Sequence, residues 1–109
     1  MVEFDAWKLE VDTGIDAYTL ALLHGDGSDG STTITDEVAA NVWTAYGNAQ
    51  IDTAQYVFPS IGSSIRLDGN SYVSCPDDDK WTFAGDFTFD FRVMFYALPA
   101  ASTYMYFYS

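Results

Sequence analysis

The stretch Phe87-Thr-Phe-Asp-Phe-Arg-Val-Met-Phe-Tyr96 constrains the fold of this chain more than any other. Phe87, Phe89, Phe91, Val93 and Phe95 recur at every second position, with Thr88, Asp90, Arg92, Met94 and Tyr96 between them. A two-residue period puts the two sets on opposite sides of an extended chain, so the pattern predicts a β-strand with one face on a core. Asp90 and Arg92 share the other face, where the spacing predicts a surface ion pair of little energetic worth.

The rest of the chain follows the same rule. No segment of 11 or more residues keeps a 3.6-residue apolar period, and Gly and Pro punctuate short β-rich runs. Further strands are predicted at Tyr18 to Leu23, Thr32 to Thr35, Val42 to Tyr46, Ser63 to Leu67, Tyr72 to Cys75 and Tyr104 to Tyr108. The separators carry turn chemistry: GDGSDG at 25–30, DGNS at 68–71, PDDD at 76–79 and AGD at 84–86. Asp68-Gly69 lies between Ser-Ile-Arg-Leu and Ser-Tyr-Val-Ser, which predicts a hairpin joining those two runs. Short strands with turns at this spacing point to an all-β sandwich or jelly roll.

Composition narrows the function. The 109 residues are enough for one domain with a modest core. A hydrophobic fraction of 49% and an aromatic fraction of 17% exclude a disordered acidic chain, despite a net charge of −12. Only Lys8, Arg66, Lys80 and Arg92 are basic, against sixteen carboxylates. A phosphate backbone or an anionic membrane would be repelled over most of such a surface, so neither nucleic acid nor membrane is the expected partner. Cys75 is the single cysteine, which excludes an internal disulfide, and no Cys or His sits at zinc-ligand spacing. Beside Pro76 at a strand end, Cys75 reads as a small apolar filler. The first residues show no basic and apolar signal pattern, which implies synthesis in a cytoplasm until assembly.

Three kinds of chemistry can be tested on the residues. Asp26, Ser28, Asp29, Asp36 and Glu37 are spaced like a calcium loop. A helix-loop-helix hand wants oxygen ligands at positions 1, 3, 5 and 12 and Gly at 6. Counted from Asp26, position 5 is Gly30, position 6 is Ser31 and the flanks read as strands, so the hand is rejected. A looser rim site built from Asp26, Asp29, Asp77, Asp78 and Asp79 stays open beside the plainer reading of solvated turns. Glycoside hydrolysis needs a placed pair of carboxylates. Glu10-Val-Asp12 opens such a motif, but Ile15 stands where its third acid belongs and the 87–96 strand holds no Glu. The lone His24 has no Gly-x-Ser-x-Gly partner. The expectation is therefore a protein that is not an enzyme and needs no cofactor, with calcium left open.

The aromatic constellations suit contact. Tyr104, Tyr106 and Tyr108 alternate with Met105 and Phe107, presenting three phenols on one face, either to a partner or glycan or to a core. Val2, Phe4, Trp7, Leu9 and Val11 are mixed with charges and reach no turn signal until Thr13-Gly14. Residues 1–15 read either as an arm docking on a neighbouring chain, with Phe4 and Trp7 as its contacts, or as an extra edge strand.

Taken in order, the segments 20–27 (LALLHGDG), 30–36 (GSTTITD), 47–55 (GNAQIDTAQ), 62–69 (GSSIRLDG), 71–77 (SYVSCPD) and 85–91 (GDFTFDF) form a series. The series resembles the concanavalin A-like, laminin-G-like jelly-roll domains of tailed-bacteriophage virion proteins, over about residues 16–109. That resemblance implies an antiparallel β-sandwich of two packed sheets, preceded by the N-terminal arm, with Gly85 to Phe91 in a central strand. It implies a virion structural role in capsid decoration, a fibre or the tail, with other virion proteins and further copies of the chain as partners and the virion as location. The alternative is a carbohydrate-binding, lectin-like module, calcium-dependent or not, with a glycan as ligand. Such sandwiches run to roughly 200 residues. About half the strands are thus present, and the expectation is either a longer polypeptide or copies that complete one another across open sheet edges.

Overall fold

A computed structural model of the chain describes residues 15–38, 41–97 and 101. The described residues are mostly extended, with small antiparallel sheets and a single helical turn. Among the described residues there are four strands: β1 (Thr44–Tyr46), β2 (Gln50–Asp52), β3 (Ser64–Arg66) and β4 (Tyr72–Ser74). A 3-10 turn follows at Asp79–Trp81, with Asp78 as its cap, accepting from the Lys80 backbone N–H at 3.0 Å. No helix among the described residues is long and apolar enough to cross a membrane.

The strands pair in a nested order. β2 lies against β3, with Ile51 opposite Ile65, and β1 lies against β4, with Ala45 opposite Val73. Both pairs follow the path of one long hairpin whose tip is the segment 53–63. Three residues (47–49) interrupt one arm and five (67–71) the other, so the register slips by two residues between the pairs. The two interruptions are tied together by the Asn48 side-chain amide, which donates to Asp68 Oδ2 at 2.6 Å. Gly47 makes this closeness feasible: its φ is +67°, and a Cβ there would sit 2.8 Å from the Asn70 carbonyl oxygen. Just beyond the slip, the directly opposed Tyr46 and Tyr72 stack with ring centroids 4.7 Å apart.

The core sits where the 24–31 segment crosses β2. The Gly30 N–H donates to the Ile51 carbonyl and the Ile51 N–H to the Ser31 carbonyl, both at 2.8 Å. Ile51 is fully buried there, and the Ser63 hydroxyl donates to the Gly25 carbonyl at 2.8 Å. Gly25 takes φ +69° and lies so close to β3 that a Cβ would be 3.0 Å from the Ile65 nitrogen. HGDGSDG is thus a turn shaped to fit over a hairpin.

Three of the predicted strands are present in shorter form, as β1, β3 and β4. The runs around Leu23 and Ile34 make only isolated bridges, Leu23 to Asp36 and Ile34 to Trp43. Two expectations are corrected. Asp68-Gly69 does turn, with the Asn70 N–H on Asp68 Oδ1 at 3.0 Å, but the strands it joins pair with β2 and β1 and not with each other. Residues 87–95 form no regular strand, and Phe87, Phe89, Phe91, Val93 and Phe95 are 44% to 54% exposed. Alternation equips a segment with an apolar face, but does not by itself bury that face. Phe83, Phe87 and Phe89 instead form a small ring cluster, Phe83 and Phe87 stacked at 4.4 Å. The Asp90–Arg92 pair is present at 3.4 Å and exposed. The 104–108 run and residues 1–14 lie outside the described residues.

Candidate functional site

Asp36 organises the best-defined polar site. It is 8% exposed, and four donors converge on its carboxylate. The backbone N–H groups of Leu22 and Val38 reach Oδ1 at 2.9 and 2.8 Å, while the Asn41 amide and the Trp43 indole N–H reach Oδ2 at 2.8 and 2.7 Å. Burial opposes ionisation of this group, but the bonds from Leu22, Trp43, Asn41 and Val38 outweigh it and hold the carboxyl below its ordinary range.

The network extends through Asn41. Its amide nitrogen also donates to the Leu20 carbonyl at 2.7 Å, and its oxygen accepts from Lys80 Nζ. Lys80 Nζ also lies 5.1 Å from the centre of the Trp81 ring. One carboxylate therefore fixes residues 20–22, 38, 41 and 43 and, through Asn41, the 3-10 turn. Next to it, His24 Nδ1 lies 3.5 Å from Glu37, which is itself held by its N–H on the Leu22 carbonyl.

Beside this knot runs an open groove of about 570 Å³, lined by residues 32–36 and 41–45. Asp36 is the only charged residue among the described ones that line it, and its carboxylate is held by four donors, two of which, Asn41 and Trp43, line the groove as well. The remaining lining is threonine hydroxyl, Asn41, Trp43 and aliphatic carbon, with Val42 68% exposed. A hollow of about 90 Å³ lies next to it between Asn41, Cys75 and Lys80. Burial pushes the Cys75 thiol up, as expected of a filler and not of a nucleophile.

The acidic candidates do not gather. Among the described residues no three His, Cys, Asp or Glu side chains come together as a metal-holding group. Asp29 accepts from the Thr53 N–H at 3.1 Å, and Asp77 and Asp78 cap local backbone N–H groups. Asp26 and Asp79 are exposed turn residues. Phe4, Trp7, Tyr104, Tyr106 and Tyr108 lie outside the described residues. Sequence reasoning grouped Asp36 with the loop oxygens and passed over Asn41, Trp43 and Lys80. The available signal was Trp43, whose indole N–H needs an acceptor when its ring is packed. Compared with known proteins, the chain matches no family model, no curated protein and no solved structure.

Proposed function

We propose that this chain is a non-enzymatic structural component of a tailed-phage virion. In this reading its β elements belong to a laminin-G-like sandwich that is displayed on the particle and covered in part by neighbouring chains. The observation that carries it is the imbalance between apolar surface and burial. Among the described residues Ile34, Ala49 and Ile51 are the buried apolar side chains, while seventeen large hydrophobic ones are exposed. Apolar surface on this scale suits a subunit whose neighbours cover it. The virion setting comes from the ordered series of segments, and four of these segments pack together: 20–27 and 30–36 against 47–55 and 62–69.

Purified particles from producing cells test the reading by quantitative mass spectrometry. The full chain is expected at a fixed copy number per particle. Deletion of residues 1–12 is expected to remove it from particles while leaving its β circular dichroism intact. Absence of the full chain from particles overturns the virion role, and normal incorporation of the deletion overturns the arm.

A further inference from the structure

Lys80 does not behave as a surface lysine. It follows Asp77, Asp78 and Asp79 directly, yet among the described residues its ammonium forms no ion pair with a carboxylate. The side chain is half-buried, and Nζ contacts the Asn41 side-chain oxygen, with the centre of the Trp81 ring 5.1 Å away. The Asn41 amide is held from its other side, where Nδ2 donates to the Leu20 carbonyl at 2.7 Å and to Asp36 Oδ2 at 2.8 Å. Two acceptors there fix the orientation of the amide, so its carbonyl faces the lysine. Asn41 Cγ lies one C=O bond, about 1.2 Å, beyond that oxygen. An amine nitrogen, an amide carbon and a carboxylate are thus brought together at one point.

We propose that Lys80 and Asn41 join in an intramolecular isopeptide bond, formed by the protein itself with Asp36 as proton carrier. Lys80 Nζ, entering as the amine after giving up a proton, attacks Asn41 Cγ, and the Nζ–Cγ bond forms as the Cγ–Nδ2 bond breaks. Nδ2 leaves as ammonia and takes the protons released by the lysine, so ammonium is the by-product and neither oxidant nor reductant is needed. Asp36 Oδ2 already accepts a hydrogen bond from the departing nitrogen, which places its carboxylate to take a proton from the incoming nitrogen and return it to the outgoing one. An amide is a poor electrophile in water, and the fixed placement of the reactants is what makes the step feasible. The hollow of about 90 Å³ between Asn41, Cys75 and Lys80 leaves room for the ammonia.

The place of the bond in the fold gives it a purpose. Asn41 precedes β1 and Lys80 follows β4, and these two strands pair with each other. A link between residues 39 apart in sequence therefore closes the open end of the long hairpin. Such a closure restricts the unfolded chain as a disulfide does, and the single Cys75 leaves this chain no internal disulfide. The bond is independent of the virion reading, since it requires only a folded chain.

Intact mass spectrometry of the full chain, purified folded and measured after denaturation, tests the bond. Wild type is expected to be about 17 Da lighter than its sequence, the mass of one ammonia, and its digest to contain a branched peptide joining Asn41 to Lys80. Lys80→Arg keeps the positive charge but removes the amine, and is expected at its full sequence mass. Asp36→Asn with unchanged circular dichroism is expected to slow the loss of ammonia about tenfold or more. If that variant misfolds, Lys80→Arg and the wild-type digest decide alone. A folded wild type at its full sequence mass overturns the proposal. An ammonia loss that persists in Lys80→Arg, or that maps to unbranched peptides, overturns it as well and assigns the loss to a succinimide at an asparagine. A folded Asp36→Asn that reacts at the wild-type rate removes Asp36 from the step.

Discussion

The described residues of 20–43 contribute only Ile34 to the buried apolar core, yet a dense set of polar bonds fixes them to Asp36 and Ile51. Residues 82–97 hold the chain's strongest aromatic alternation, yet form no regular strand and stay about half exposed. The difference shows what positions a segment in a small acidic domain. A buried carboxylate with four donors specifies one arrangement, because each donor left without it pays its own desolvation cost. An apolar face specifies only that something should cover it. The first region is fixed by the polar bonds of Asp36, while the second keeps about half of its aromatic surface exposed.

The largest expected effect breaks the locked region. Asp36→Ala strands the Leu22, Val38, Asn41 and Trp43 donors together and is expected to cost about 4 kcal/mol, most of the margin of a marginally stable domain. Urea unfolding measures this, and a loss below about 1 kcal/mol would remove Asp36 from the centre of the fold. The pH dependence has a definite sign. The folded-state carboxyl is held below its ordinary value of 3.8, so its charged form stabilises the fold. That contribution is complete above the ordinary carboxylate range and declines as the pH falls through 3.8 towards the lowered value. Asp36→Asn is expected to flatten this acid limb.

Much of the hairpin was legible before the structure, for reasons that were local. Val42 to Tyr46 and Tyr72 to Cys75 are rich in β-branched and aromatic residues, Ser63 to Leu67 sets Ile65 between turn signals, and each holds a strand. Asp68 and Asp78 act as turn and cap residues, as their chemistry dictates. Pairing was not legible, because Asp68-Gly69 favours its nearest neighbours whereas the observed ladders follow long-range contacts. Ile51 is the only large apolar residue in Gln50–Asp52, so β2 carries no periodic signal, and its partner residues lie in the distant segments 30–31 and 64–66. The Asp36 site was hidden for a related reason: its donors at Leu22, Val38, Asn41 and Trp43 belong to separate segments, and two are backbone N–H groups that no side-chain pattern reveals.

A middle-sized effect tests whether the two strand pairs act as one hairpin. Gly47→Ala forces a Cβ into a positive-φ position and against the Asn70 carbonyl, and is expected to cost about 2 kcal/mol. Hydrogen exchange locates the damage. If the hairpin is continuous, protection falls at Ala45 and Val73 and also at Ile51 and Ile65. Loss confined to Ala45 and Val73 would divide the hairpin into two independent pairs.

The smallest effect comes from the exposed region and sharpens the contrast most. Ile51→Ala removes a fully buried side chain and is expected to cost about 3 kcal/mol. Val93 belongs to the most regular apolar pattern in the sequence but is 52% exposed. Burial and not pattern sets the transfer term, so Val93→Ala is expected to cost less than about 0.5 kcal/mol in dilute solution, where no second chain covers it. If Val93→Ala cost as much as Ile51→Ala under those conditions, residues 87–95 would be packed within the single chain, and the division between a fixed and a half-exposed region would fail. If its cost instead rises with protein concentration, the missing burial comes from a neighbouring copy, as expected of a subunit whose apolar surface is covered on assembly.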